Sequence, residues 1–142
     1  MAGRTSGEQA NLALQTLGGY RLLEEIGAGA MGTVYKAAAV DGSLVAVKVM
    51  ARRYANNSTQ RRRFEQEARL AMRLTHPSLV RAISAGEEKG IPYFVMELVE
   101  GETLAAMIQR LGRLPEPLAL RMIASIARGV HEAQDRKSTR LN

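Results

Sequence analysis

Ile26-Gly27-Ala28-Gly29-Ala30-Met31-Gly32-Thr33-Val34-Tyr35-Lys36 is the stretch that decides how this chain folds. Its three glycines follow a G-x-G-x-x-G spacing, which lets backbone N–H groups come close to phosphates. The residues after the loop separate its two main meanings. In a dinucleotide-binding unit the loop opens a helix. Here it runs into β-branched and aromatic residues and then into Asp41-Gly42, a turn pair. That order predicts a strand and a hairpin, with the loop bridging two antiparallel strands as a flap. No Gly-Lys-Ser/Thr ends it, so it is not a Walker A loop. A plain glycine-rich hairpin would carry the same local pattern. A dinucleotide-binding oxidoreductase would need a helix directly after Gly32.

Downstream, Leu44-Val45-Ala46-Val47-Lys48-Val49-Met50 places a lysine inside an apolar run. Strand alternation puts Ala46, Lys48 and Met50 on one face and Val45, Val47 and Val49 on the other. A lysine so placed either snorkels to an edge or meets an anion. The next predicted helix has a matching oddity. Phe64, Ala68, Ala71 and Leu74 form an apolar stripe at helical spacing, and Glu67 falls on it. Pairing Glu67 with Lys48 would satisfy both groups and fix the ammonium to meet phosphate oxygens. If both were buried, breaking the pair would cost ~3–5 kcal/mol. Otherwise Glu67 lies exposed at the edge of the stripe.

Around these motifs, residues 1–17 read as a flexible leader ended by Gly18-Gly19. Strands are predicted over Tyr20–Ile26, Thr33–Val40, Leu44–Met50, Leu79–Ala85 and Pro92–Val99. Asn56-Asn57-Ser58 is a candidate cap for a helix over about Thr59–Leu74, which His76-Pro77 breaks. Glu102–Leu111 reads as a short helix, and Pro115 and Pro117 open a longer one. Five closely linked strands with one inserted helix predict an α+β fold with an antiparallel sheet, not a doubly wound one.

Bulk properties narrow the function. The chain has 142 residues, enough for one domain with a core. It has no cysteine, which removes disulfides, thiolate metal sites and a cysteine nucleophile. No apolar run approaches the roughly 20 residues of a membrane span, and Met1–Thr16 lacks the apolar core of a secretory signal. The net charge is +6, but Arg61, Arg62 and Arg63 open a predicted helix, and aromatic residues are few. A solvated helix face explains the charge better than nucleic acid does.

Glycine loop, Val45-Ala46-Val47-Lys48 and Phe64-x-x-Glu67 together resemble the N-terminal lobe of a eukaryotic-type protein kinase, in the wording of bacterial serine/threonine kinases. Leu74-Thr75-His76-Pro77-Ser78-Leu79-Val80 resembles the family's loop after the helix. Tyr93-Phe94-Val95-Met96-Glu97-Leu98-Val99-Glu100-Gly101 resembles its fifth strand and hinge. The resemblance covers about residues 18–134. It implies a five-stranded antiparallel sheet with one helix over about 18–101, then the first helices of an α-helical lobe over about 102–134. It also implies ATP as ligand, with Gly27, Gly29 and Gly32 closing over the phosphates and Lys48, oriented by Glu67, holding the α- and β-phosphates. Ile26, Val34 and Ala46 would wall the adenine pocket, Met96 would be its gatekeeper, and the backbone of Glu97 and Val99 would bond the adenine edge. Ala30 stands where such loops often have another glycine.

The same resemblance implies Mg2+, but the His-Arg-Asp catalytic loop and the Asp-Phe-Gly metal ligand do not occur in these residues. His131 is followed by Glu132-Ala133 and does not belong to such a loop. The chain is therefore expected to be an inactive N-terminal fragment, carrying neither the catalytic base nor the metal ligands. Its parent would transfer the ATP γ-phosphoryl to protein serine or threonine hydroxyls. A pseudokinase scaffold is the alternative, and the parent's catalytic loop discriminates. A cytoplasmic location is expected for the kinase domain, with any membrane anchor of the parent lying downstream. Asp135-Arg136-Lys137-Ser138-Thr139-Arg140-Leu141-Asn142 reads as the in-frame translation of a sequencing-adapter oligonucleotide. Leaving it out lowers the net charge from +6 to +4; unrelated codons in the underlying nucleotides would refute this reading.

Overall fold

A computed structural model describes residues 16–138, with side chains described through Asp135. The chain divides into two compact units. One holds the sheet and its helix, through Arg73 and again over Arg81–Leu98. The other comprises Leu74–Val80 and the chain from Val99 onward.

The first unit is a six-stranded antiparallel sheet of order β1-β2-β3-β4-β6-β5. Its strands are β1 (Thr16–Leu17), β2 (Tyr20–Ala28), β3 (Gly32–Ala38), β4 (Leu44–Met50), β5 (Ala82–Glu88) and β6 (Ile91–Glu97). The five expected strands are all present, and β1 is an addition. Thr16 and Leu17, read in sequence as the end of a flexible leader, pair with Arg21 and Tyr20; the rest of that leader lies outside the described residues. Several boundaries also shift. β3 ends at Ala38, and Val40 is 94% exposed, so nothing in the core holds it in the strand. β6 ends at Glu97, short of Val99.

Turn chemistry explains the hairpins. Between β3 and β4, Ala39 N–H donates to the Ser43 carbonyl, and Gly42 takes a φ of 84°. The hydroxyl of Ser43, and then its N–H, bond the Asp41 carboxylate and hold its pKa below the ordinary value. Between β5 and β6 the turn is only Lys89-Gly90, with φ of 50° and 77°. Two residues at positive φ form the tight turn whose twist matches antiparallel strands. β5 therefore continues past the expected end at Ala85, through Glu88.

The sheet has two differently packed faces. Leu22, Tyr35, Ala37, Val45, Val47 and Val95 form one buried cluster. They come from in-register partners, Tyr35 with Val47 and Val47 with Val95. The sheet curls around this cluster until its opposite edges meet. Gly18 N–H, beside β1, donates to Glu88 Oε2 on β5 at 2.9 Å. The Tyr93 hydroxyl lies between Gly18 and Gly86, so close that a Cβ at either would stand 1.8 or 2.6 Å from it. Burial, then the charge of Glu88, raises the Tyr93 pKa.

The other face carries the helix. Helix α1 (Ser58–Arg73) starts where Asn57 Oδ1 accepts the Gln60 N–H at 3.0 Å, the expected cap. Phe64 and Ala68, both buried, pack with Met50 and Phe94. The Phe64 and Phe94 ring centroids are 5.4 Å apart at 58°, a tilted aromatic pair. Arg61 fastens the helix further. It donates to the Ala55 carbonyl at 3.3 Å and the Gly90 carbonyl at 3.0 Å, and pairs with Glu87.

In the second unit, Thr103 Oγ1 caps α2 (Leu104–Leu111) by accepting the Ala106 N–H, and Gly112 ends it at a φ of 70°. Helix α3 spans Glu116–Ser138, so it runs through His131 and into the segment read as adapter-derived. At Gly129 a Cβ would lie 3.2 Å from Leu79 Cδ2, so the loop after α1 seats closely on α3. Leu104, Ile108 and Leu111 on α2, and Leu120, Ile123, Ile126 and Val130 on α3, are exposed. Among the described residues no helix is long and apolar enough to cross a membrane.

Candidate functional site

Antiparallel register assembles the site from separate stretches. Gly27 pairs with Val34, Val34 with Lys48, and Lys48 with Phe94, a row across four strands. In-register neighbours share a face, so Val34 and Lys48 point the same way. A second row, Lys36–Ala46–Met96, lies beside it on that face. Gly27 is two strands from Lys48, roughly 10 Å at the usual spacing. Ile26 sits in the bulge between Glu25 and Gly27 and is 47% exposed.

Lys48 Nζ donates to Glu67 Oε1 at 2.7 Å, so α1 and β4 meet through the expected pair. The ammonium also lies 5.7 Å from the Phe94 ring centroid, a weak cation–π contact. One expectation fails here. The side chains of Lys48 and Glu67 are 23% and 49% exposed, so this is not a buried pair. Phe64 and Ala68 turn into the core, while Glu67 emerges at the edge of the stripe. The ~3–5 kcal/mol of a buried pair does not apply, and a half-exposed pair contributes up to about 1 kcal/mol. Such a pair serves position more than stability. It holds a cation at a fixed point where solvent, or an anion, still reaches it.

The three loop glycines do different things. At Gly32 a Cβ would stand 2.2 Å from the Val49 carbonyl oxygen, so the close approach of β3 to β4 requires a glycine there. At Gly27 the nearest atom to a Cβ would be 3.9 Å away, and at Gly29 also 3.9 Å. Neither takes a positive φ. The fold by itself therefore does not require glycine at those two positions. Gly32→Ala is expected to destabilise the chain by ~1–3 kcal/mol through overpacking. Gly27→Ala and Gly29→Ala are expected to leave the thermal midpoint within a degree or two of the parent's, measured by circular dichroism.

The loop tip is held from behind, which the sequence did not indicate. Gly29 N–H donates to the Gly32 carbonyl at 2.9 Å and Ala51 N–H to the Met31 carbonyl at 2.8 Å. Arg53 Nη2 donates to the Ala30 carbonyl at 2.9 Å. Of the remaining predicted residues, Ala46 is buried, and Met96 packs against the Phe64–Phe94 cluster. Glu97 bonds Arg81 twice: its N–H donates to the Arg81 carbonyl and its Oε1 accepts the Arg81 N–H, both at 2.9 Å. Val99 is 66% exposed and belongs to the second unit. Among the described residues no group of three or more His, Cys, Asp or Glu is gathered as a metal site.

The elements thus bring together a glycine loop that joins two antiparallel strands and a lysine held in place from a helix. Gly32 enters β3 directly, with no helix, which excludes the dinucleotide-binding alternative. The chain belongs to the protein kinase family, whose protein kinase domain matches residues 20–136. It is 39% identical over 117 residues to serine/threonine-protein kinase PrkC of Bacillus subtilis, covering 82% of this chain and 18% of that one. It is 37% identical over 112 residues to a probable serine/threonine-protein kinase of Clostridium perfringens, covering 78% of this chain and 16% of that one. The PknI kinase domain of Mycobacterium tuberculosis superposes with a TM-score of 0.72 at 30% identity, covering 88% of this chain and 52% of that domain. The chain thus spans under a fifth of the length of these curated relatives and about half of that kinase domain.

Proposed function

We propose that this chain is the ATP-holding N-terminal portion of a bacterial protein serine/threonine kinase. The observation that carries this reading is the pair Gly27 and Gly29. Each has room for a side chain and neither takes a positive φ, yet Gly27, near the end of β2, heads the row that leads to Lys48, and Gly29 follows it in the loop. Glycine where the fold does not need it fits a ligand that must approach the backbone, and an ammonium held beside it fits a phosphate chain. Gly27, Gly29 and Gly32 would cover the phosphates. Lys48, held by Glu67, would bond the α- and β-phosphates.

Ile26, Val34, Ala46 and Met96 would wall the adenine ring. Because the Glu97 N–H is already donated to Arg81, its carbonyl is the group left for the adenine edge, with Val99 supplying the next backbone contact. For Mg2+ the residues present do not fit: neither the sequence motifs nor the described side chains provide a ligand set. The base that accepts the substrate hydroxyl proton would likewise come from outside these residues.

In the full-length kinase, which we place in the cytoplasm, the γ-phosphoryl would pass from ATP to a protein serine or threonine hydroxyl. Incubating that kinase with γ-labelled ATP and a generic basic protein substrate tests the reading. Labelled phosphoserine or phosphothreonine is expected. Saturable ATP binding without any transfer would instead support a pseudokinase scaffold.

A further inference from the structure

Arg53 is outside every motif that points to the nucleotide, yet it reaches the tip of the glycine loop. It sits in a single 3-10 turn, Arg52–Tyr54, immediately after β4. Its guanidinium lies 4.8 Å from the ring centroid of Tyr54. Tyr54 packs against the Met50–Phe64–Ala68–Phe94 cluster, and so does Met31 of the loop. From this base Arg53 Nη2 donates to the Ala30 carbonyl at 2.9 Å, and the neighbouring Met31 carbonyl accepts the Ala51 N–H. Both peptide carbonyls at the tip are thereby drawn toward the segment after β4. Peptide planarity sends a carbonyl and the next N–H in opposite directions. Fixing the Ala30 and Met31 carbonyls toward that segment therefore fixes the N–H groups of Met31 and Gly32 away from it.

We propose that Arg53 is a positioning residue, a latch that holds the glycine loop in the shape its amides need to receive phosphate. Its consequence for ATP rests on the nucleotide reading above; the latch itself does not. Arg53 would touch neither adenine nor phosphate. It would act by removing the loop's freedom before binding, which lowers the ordering cost of binding a phosphate chain. One donor to one carbonyl suffices, so lysine should serve partly in its place and alanine should not.

The test uses the full 142-residue chain and two readouts. In the absence of nucleotide, Arg53→Ala should speed amide hydrogen exchange at Gly29, whose N–H closes the loop onto Gly32, by about five-fold, the size of one net hydrogen bond. Amides of β6 should exchange at the parent rate. In titrations, Arg53→Ala should weaken ATP by a similar factor of about five and leave adenosine unchanged, and Arg53→Lys should recover most of the loss. Equal weakening of ATP and adenosine would mark a general folding defect and overturn the proposal. Unchanged exchange at Gly29 with weakened ATP would also overturn it, because Arg53 would then act on phosphate directly. If the parent chain binds no ATP, the nucleotide reading fails, while the exchange result still decides the latch.

Discussion

Lys48→Met in the full-length kinase is expected to lower phosphoryl transfer by at least about a hundredfold, the scale of removing one preorganised electrostatic group. The fold should survive. Methionine keeps an apolar stem of similar length on the same face of β4. The partner left behind, Glu67, is 49% exposed and can be rehydrated. The stability change should therefore stay within about 1 kcal/mol, the ceiling for a half-exposed pair. Rate measurements with ATP, set beside thermal unfolding of the same variant, separate the two effects. Transfer at the parent rate would remove Lys48 from the site. Loss of transfer accompanied by unfolding would make the lysine structural.

Phe64→Ala has the opposite profile, with stability lost first and function lost as a consequence. Phe64 is 1% exposed and contacts the helix side of the sheet through Phe94. Truncating such a ring typically costs ~3–5 kcal/mol, part transfer and part cavity. Against a usual total of about 5–15 kcal/mol, that is a large share of what holds a domain together. It also removes the contact that seats α1, and Glu67 lies one turn along the same helix. Denaturant unfolding should show the midpoint fall sharply. Near-parent stability would mean that α1 is held chiefly by the Arg61 contacts to Gly90 and Glu87.

The parts of this protein that are legible in its sequence are those encoded locally or by a paired anomaly. Asn57 before an apolar-periodic stretch announces a helix cap, and β-branched residues after Gly32 announce a strand. Lys48 and Glu67 are each out of place alone and consistent together. Periodicity overstates their burial, because it says which side of a helix a residue is on but not where the neighbouring sheet ends. The closure of the sheet is not legible. Gly18 looks like the end of a leader, and the Tyr93 hydroxyl packed against it from far along the chain, together with the φ of 56° at Gly18, shows why glycine is needed there. The hold of Arg53 on Ala30 is hidden for a related reason. A side chain bonding a backbone carbonyl constrains no residue type at the accepting position, so the loop carries no trace of it.

If the glycine loop and Lys48 together receive a nucleotide's phosphates, their backbone amides must sense ATP. Amide resonances of the 142-residue chain, followed during titration with ATP and separately with adenosine, test this most directly. Saturable shifts are expected at Gly27, Gly29, Gly32 and Lys48 with ATP. Adenosine should produce much smaller shifts at these positions, while still moving Ala46 and Met96. Saturating ATP that left the glycine-loop and Lys48 amides unmoved would contradict the assignment of phosphate to this site.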